Sequence, residues 1–151
     1  MSKRILIVED QKDDRQIIRD MLAGTNYEIT EAEVGEHALA AVAKERPDLI
    51  LMEIQLPTMD GYEAMRRIRT DPALLSIPII ALSSYAPSEE QQKARAAGCD
   101  DFVPKPYSRR HLMAKIREYL PNSCPTAYVH SSAIRMSVLW PTAAVRGSAA
   151  R

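Results

Sequence analysis

Residues 49–61 read Leu-Ile-Leu-Met-Glu-Ile-Gln-Leu-Pro-Thr-Met-Asp-Gly. The apolar run 49–52 is too short for a helix, and its composition is typical of a strand that is buried on both faces. Glu53 follows as a charged side chain at the strand end, and Pro57 and Gly61 indicate a loop. The stretch therefore predicts a central strand that ends in a carboxylate.

Short runs of the same kind alternate with longer amphipathic segments along the chain. Strands are predicted at 5–8, 28–32, 49–52, 79–82 and 101–103, and helices at 13–23, 36–45, 62–70, 88–97 and 108–120. In the first helix, the periodicity places Ile17, Ile18, Met21 and Leu22 on one buried face. The alternation predicts an α/β fold, a doubly wound five-stranded parallel sheet with helices on both faces. Function in such a sheet is expected at the carboxyl ends of the strands.

The chain is predicted to consist of a domain at 1–120 and a tail at 121–151. The tail is interrupted by prolines and rich in Ala and Ser, and no effector domain is recognised in it. Residues 134–140 alternate between apolar and other side chains, so they can form a short strand on a sheet edge or partner. The other interpretation is a disordered tail. Both interpretations stay open at this point.

Charge and composition exclude several classes of function. No run of about twenty apolar residues is present, and the N-terminal apolar stretch is too short for a signal peptide, so we expect a cytoplasmic protein without membrane association. Residues 1–120 carry a net charge of −3 and the tail +3, which gives no support for nucleic-acid binding. Cys99 and Cys124 form no CxxC pair, which favours free thiols.

Acidic side chains end two of the predicted strands. Glu9 and Asp10 follow the first strand, and Glu53 ends the third, so all three carboxylates are expected in one crevice. They would repel one another without a cation, and hard oxygen ligands of this kind suit Mg²⁺. The alternative for Glu9 and Asp10 is a solvated acidic turn that favours the next helix N-terminus. Lys105, before Pro106, would place a fixed cation beside these groups, although by itself it is typical of a surface lysine.

Four motifs in the predicted order resemble the receiver domain of two-component response regulators over residues 3–120. They are Val8-Glu9-Asp10, the stretch 51–61, Ala81-Leu82-Ser83-Ser84 and Lys105-Pro106. The resemblance implies a flavodoxin-like sheet with strand order 2-1-3-4-5. It also implies a cis peptide between Lys105 and Pro106.

The resemblance assigns roles to individual residues. Asp10 would bind Mg²⁺ directly, Glu9 through water, and Gln55 through its backbone carbonyl. Glu53 stands at the phosphoacceptor position and would also contact the metal. The Ser83 hydroxyl and the Lys105 ammonium would contact the phosphoryl group. Phe102 would be an aromatic rotamer switch. For Phe102, simple core packing is the alternative.

The resemblance also implies partners. These are a sensor histidine kinase or a histidine phosphotransfer protein, and the signalling face would lie at 88–120. A homodimer through the fourth-helix to fifth-helix face, or through the tail, is a further hypothesis. The protein would not be an enzyme beyond assisting its own phosphotransfer.

Glu53 is the departure from the family pattern, because family members carry aspartate at this position. The extra methylene moves the carboxylate by roughly one carbon–carbon bond, and in-line phosphotransfer tolerates misplacements of about 1 Å poorly. We therefore predict a phosphomimic or non-phosphorylatable form in which Glu53 bonds Ser83 or pairs with Lys105. The alternative is a constitutive pseudo-receiver that binds partners without phosphorylation. A nucleotide- or flavin-binding enzyme is disfavoured because GxGxxG and GxxxxGK[ST] are lacking.

Overall fold

Strands and helices alternate along residues 2–84 and 88–121, the part of the chain that the computed structural model describes. In chain order the elements are β1 (Arg4–Val8), α1 (Lys12–Leu22), β2 (Glu28–Ala32), α2 (Gly35–Lys44), β3 (Leu49–Glu53), α3 (Gly61–Arg69), a short 3-10 turn (Pro72–Leu74), β4 (Ile79–Ser83), α4 (Ser88–Ala97), β5 (Asp101–Pro104) and α5 (Arg109–Tyr119). The predicted strands and helices are confirmed, with ends shifted by a residue or two. The 3-10 turn was not predicted.

The strands form one parallel sheet in the order β2-β1-β3-β4-β5. This confirms the predicted fold class and strand order. The register pairs Val8 with Met52 and Ser83 with Pro104. Residues that directly follow β1 and β5 therefore lie at the same edge of the sheet as the last residue of β3.

The core lies on both faces of the sheet because β3 is buried along its whole length. Leu49 and Leu51 belong to a cluster with side chains of α1 and α5, whereas Ile50 and Met52 belong to a cluster with side chains of α2, α3 and α4. Full burial of an aliphatic side chain contributes about 1.5–3 kcal/mol. The apolar run that predicted the central strand thus holds both helical layers on the sheet.

The prediction for one residue of α1 was wrong. Ile18 and Leu22 are buried as expected, but the side chain of Ile17 is 48% exposed. Successive helical residues point about 100° apart, so the face that presents Ile18 and Leu22 to the sheet turns Ile17 toward its rim. Ile17 instead lines a surface pocket with Met21.

Two helix ends are fixed by local chemistry. The Ser108 hydroxyl accepts a hydrogen bond from the backbone N–H of His111 at 3.0 Å, which confirms Ser108 as the N-cap of α5. At the start of α3, a Cβ on Gly61 would lie 2.4 Å from the carbonyl oxygen of Glu53. Only glycine permits α3 to begin this close to the end of β3.

Further predictions concerned the cysteines, membrane spans and the tail. Cys99 is a buried free thiol, and burial raises its pKa to about 11. No helix within residues 2–84 and 88–121 is long and apolar enough to cross a membrane. The predictions for the tail, the strand at 134–140 and Cys124 concern positions beyond residue 121, outside the described residues.

Candidate functional site

The Lys105 ammonium lies among three carboxylates at the carboxyl edge of the sheet. Its Nζ atom is 2.5 Å from Glu53 Oε1, 2.9 Å from Glu9 Oε1 and 3.2 Å from Asp14 Oδ2. Glu9 is 1% exposed and Glu53 3% exposed. The structure therefore brings together Glu9, Glu53 and Lys105, as the sequence predicted, in a buried cluster of ion pairs.

Backbone amides hold the second oxygens of the two buried carboxylates. Glu9 Oε2 accepts from the Gln11 N–H at 3.2 Å, and Glu53 Oε2 accepts from the Gln55 N–H at 3.0 Å. Each carboxylate is thus fixed by the turn that follows its own strand. The remaining oxygen of each is directed at Lys105, so the orientation of the pair is set by the ends of β1 and β3.

Burial and charge shift the pKa values in this cluster. Burial is the largest influence on Glu9 and, with the adjacent charge of Glu53, raises its pKa to about 7 against the opposing hydrogen bond from Lys105. Burial alone would lower the pKa of Lys105, but its hydrogen bonds to Glu53 and Glu9 outweigh burial and raise the pKa above its usual value. Lys105 is therefore a permanent cation at neutral pH.

Asp14 is a site residue that sequence analysis missed. It lies in the first turn of α1, and its carboxylate reaches Lys105 across the crevice. The sequence signal was an acidic residue one helical turn after Asp10. That signal is weak, because acidic residues are common at helix N-termini for their interaction with the helix dipole.

The other predicted site residues have different surroundings. Asp10 accepts a hydrogen bond from Gln11 Nε2 at 3.2 Å, and it forms no described contact with Lys105. Ser83 is fully buried at the end of β4, and its carbonyl oxygen accepts from the Lys105 N–H at 2.7 Å. Phe102 is buried among the side chains between the sheet and α2, α3 and α4. The predicted cis peptide between Lys105 and Pro106 is confirmed.

The oxygen donors assigned to Mg²⁺ have the right chemistry, but Lys105 contacts two of them in this arrangement. Among the described residues, no three Asp, Glu, His or Cys side chains form a cluster that could hold a metal ion. The positive charge that the buried carboxylates require is supplied here by an ammonium group. Magnesium binding by this chain therefore stays a prediction.

A pocket of about 460 Å³ opens beside the cluster, between α1 and the segment that connects β5 to α5. It combines the charge of Lys105 with apolar surface from Ile17 and Met21. Burial raises the pKa of Tyr107, which also lines it, to about 12, so this phenol stays neutral. The pocket gives the site an exposed, partly apolar approach.

The fold is a doubly wound α/β domain whose candidate site residues lie at the carboxyl ends of β1, β3, β4 and β5. A family model for the response regulator receiver domain matches residues 5–117. The chain belongs to this family.

Curated relatives agree with this assignment. The polar-differentiation response regulator DivK of Brucella anthropi is 35% identical over 120 residues, which cover 80% of this chain and 98% of that protein. DivK of Brucella ovis is 34% identical over the same length and coverage. These relatives are response regulators, which are signalling proteins.

Solved structures of receiver domains have the same fold. The receiver domain of a Pseudomonas aeruginosa sensor histidine kinase has a TM-score of 0.75 and 32% identity, and the match covers 81% of this chain and 100% of that one. That structure has a magnesium ion coordinated in its active-site cleft. The chemotaxis protein CheY4 of Vibrio cholerae has a TM-score of 0.73 and 28% identity, with 79% and 99% coverage.

Proposed function

We propose that this chain is a receiver that signals by protein–protein contact and does not accept a phosphoryl group, with Glu53 as a partial substitute for the phosphorylated aspartate. The observation that carries the proposal is the 2.5 Å ion pair between Lys105 Nζ and Glu53 Oε1. In the family this lysine pairs with the phosphoryl group. In this chain a side-chain carboxylate already holds it.

Loss of phosphotransfer follows from the geometry around Glu53. Its Oε1 contacts Lys105 and its Oε2 accepts a backbone N–H, so both oxygens already hold a partner within the protein. The additional methylene also displaces the nucleophile from the position that an aspartate would hold. Phosphotransfer depends on in-line placement, and an error of about 1 Å can cost on the order of a hundredfold in rate.

Partial mimicry follows from charge. The Glu53 carboxylate supplies one negative charge at the Lys105 ammonium, whereas a phosphoryl group adds about two. Phe102 is 6% exposed and lies in the core, a position that both the predicted switch and simple core packing would give. The substitute is therefore expected to shift the equilibrium of the domain toward the signalling state without completing the shift.

The proposed partners are a sensor histidine kinase or a histidine phosphotransfer protein, together with a downstream target. The pocket beside Lys105 offers apolar and charged groups to a partner near the site, and the face formed by α4, β5 and α5 is the expected output surface. Magnesium, a homodimer and a cytoplasmic location stay predictions.

The first experiment measures phosphorylation by intact mass after incubation with Mg²⁺ and a small-molecule phosphodonor. The natural chain and Glu53→Asp are compared, because the variant restores the family's phosphoacceptor. We expect a phosphoryl adduct on Glu53→Asp only. An adduct on both proteins that maps to Glu53 would show that the methylene is tolerated and that the proposal is wrong.

A second experiment separates mimicry from a pseudo-receiver that works without any switch. Backbone amide shifts of α4, β5 and α5 are recorded for the natural chain, for Glu53→Asp and for phosphorylated Glu53→Asp. Mimicry predicts that the natural chain lies between the two forms of the variant, on the line that joins them. A natural chain that coincides with the unphosphorylated variant favours the pseudo-receiver.

A further inference from the structure

The first turn of α3 lies directly against the end of β3. The Gly61 N–H donates to the carbonyl oxygen of Ile54 at 2.7 Å, and a Cβ on Gly61 would lie 2.4 Å from the carbonyl oxygen of Glu53. The Asp60 carboxylate accepts the N–H of Glu63 at 2.9 Å and caps this turn. Because the contact between the two elements is made by backbone atoms in close packing, a shift of β3 at position 53 is expected to move the start of α3.

Tyr62, the next residue of α3, connects this turn to α4. Its hydroxyl donates a hydrogen bond to the carboxylate of Glu90, and its ring packs against the core between the sheet and α2, α3 and α4. Glu90 lies in the first turn of α4, whereas the buried side chains of this helix, Ala94 and Ala97, belong to its second half. Within the part of the chain that the structure describes, no other side-chain hydrogen bond or ion pair joins residues 88–91 to the rest of the domain.

Glu90 has an alternative partner on its own helix. Lys93 follows three residues later, a spacing at which glutamate and lysine can pair on a helix surface. Within residues 2–84 and 88–121, Lys93 forms no ion pair. It lines a pocket of about 430 Å³ between α3 and α4, which Tyr62 also lines. A Glu90 carboxylate released by Tyr62 can therefore pair with Lys93, so α4 has two possible arrangements.

We propose that Tyr62 is a positioning residue that couples the end of β3 to α4, and that Glu90 exchanges between the Tyr62 hydroxyl and Lys93 as α4 is held or released. The hydroxyl holds the first turn of α4 on α3, so a change at position 53 reaches α4 through the first turn of α3. Release leaves α4 attached through its two buried alanines. The coupling goes beyond the proposed function and does not require that Glu53 substitutes for a phosphorylated aspartate.

The experiment measures backbone amide shifts of the full chain in a double-mutant cycle. Glu53→Asp supplies the perturbation at the end of β3, and Tyr62→Phe removes the hydroxyl and keeps the ring. We expect Glu53→Asp to shift the amides of residues 88–91 in the natural background, and most of this shift to be lost in the Tyr62→Phe background. A shift of the same size in both backgrounds, or no shift in the natural one, would overturn the proposal.

Energetic coupling between two sites is reciprocal, so the reverse perturbation gives a second measurement. Glu90→Ala removes the acceptor on α4 and should shift the amides of Ile54 and Gly61. Glu90→Gln keeps an acceptor for the Tyr62 hydroxyl and should leave these two amides nearly unchanged. Glu89→Ala removes a carboxylate from the adjacent exposed position and is the control. Equal shifts of Ile54 and Gly61 for Glu90→Ala and Glu89→Ala would contradict the coupling.

The exchange of Glu90 between two partners is tested with Lys93→Gln, which removes the cation on α4. In the natural background Glu90 is held by the Tyr62 hydroxyl, so this substitution should change the amide shifts around Glu90 only slightly. In the Tyr62→Phe background Glu90 is free to pair with Lys93, and the same substitution should change those shifts more. Changes of equal size in the two backgrounds would show that Lys93 does not compete for Glu90 and would overturn the proposal.

Discussion

At the residue scale, Lys105 is the cation that pairs with two buried carboxylates. Glu9 and Glu53 are almost fully buried, and the ammonium is within 2.9 Å of an oxygen of each. Removing one partner from a buried ion pair costs far more than the pair contributes, because it leaves an uncompensated charge. Lys105 is thus expected to contribute to stability through its ion pairs with both carboxylates.

The first prediction is that Lys105→Met lowers the free energy of unfolding by about 3 kcal/mol at pH 8, where Glu9 is mostly charged. Urea denaturation measures the change. The double variant Glu53→Gln/Lys105→Met should recover part of the loss, because it also removes one of the stranded charges. Lys44→Met, at an exposed position of α2, is the control and should change stability by less than about 0.5 kcal/mol. Equal effects of the two lysine substitutions would refute the prediction.

The second prediction concerns Gly61, where a Cβ would lie 2.4 Å from the Glu53 carbonyl oxygen and 2.7 Å from the Cα of Ile54. Both contacts are with backbone, which cannot move aside as a flexible side chain can. Gly61→Ala should therefore cost about 1–3 kcal/mol through overpacking, despite the better helix propensity of alanine. Thermal or urea unfolding measures the cost, and a stability equal to that of the natural chain would contradict the close approach.

The sequence predicted the site residues that end strands and missed the one on a helix. Glu9 and Glu53 were recognised because a charge that directly follows a buried apolar run is unusual. Asp14 could not be recognised, because an acidic residue in a first helical turn is ordinary and only the path of Lys105 across the crevice gives it a partner. The sequence also placed two cations beside the carboxylates, Mg²⁺ and the Lys105 ammonium. The structure brings Lys105 within ion-pair distance of Glu9 and Glu53, and Mg²⁺ stays a prediction.

At the element scale, α5 depends on its N-cap. Ser108 accepts the backbone N–H of His111, and no acidic residue lies in the first turn to favour the helix dipole. The third prediction is that Ser108→Ala costs about 1 kcal/mol of stability, whereas Ser108→Asp retains it because aspartate caps equally well. Denaturant unfolding of the three proteins measures the difference. A loss of similar size in both variants would assign the effect to something other than capping.

Asp101 links β5 to α5 through contacts that depend on its negative charge. Asp101 accepts hydrogen bonds from the Phe102 N–H and the Tyr119 hydroxyl and pairs with Lys115. Burial alone would raise its pKa, but these contacts outweigh burial and lower the pKa below the usual 3.8. A lowered folded pKa stabilises the protein above the unfolded pKa, and the stabilisation is lost as the pH falls through the folded value.

The fourth prediction follows from the lowered pKa of Asp101. Asp101→Asn should be less stable than the natural chain by at most about 1 kcal/mol at pH 7, since Lys115 is partly exposed and its ion pair is screened by solvent. The difference should shrink as the pH is lowered below 4, because the natural carboxylate then becomes neutral. Urea unfolding at pH 7, 4 and 3 tests this. A stability difference that grows toward acid pH would show that folding does not lower the pKa of Asp101.

The elements themselves were predictable because their periodicities are strong. Continuous apolar runs gave β1, β3 and β4, weaker runs gave β2 and β5, and Ser108 gave the start of α5. The face of α1 was predicted less well, because Ile17 and Ile18 are adjacent and the sequence does not specify which of them contacts the sheet. Packing of Ile18 and Leu22 against the core decides it and leaves Ile17 half exposed.

At the scale of the whole molecule, the central strands and the individual helices differ in how much of them is buried. β3 and β4 are buried at every residue, whereas the buried side chains of α4 are only Ala94 and Ala97. Two alanines bury little apolar area, so α4 gains far less from packing than α3, which buries Met65 and Ile68. A hydrogen bond from the Tyr62 hydroxyl to the Glu90 carboxylate joins α3 to α4.

The fifth prediction is that α4 opens locally far below the free energy of global unfolding. Hydrogen exchange at neutral pH should show weak protection of the α4 amides, whereas the amides of β3 and β4 exchange only through global unfolding, at roughly 5–15 kcal/mol. Tyr62→Phe removes the hydroxyl that contacts Glu90 and keeps the ring, so it should accelerate exchange in α4 and leave β3 unchanged. Protection of α4 equal to that of β3 would show that two alanines and one hydrogen bond suffice to hold the helix. In that case a signal from Glu53 could not act by loosening α4 and would have to move the helix as a rigid unit with the sheet.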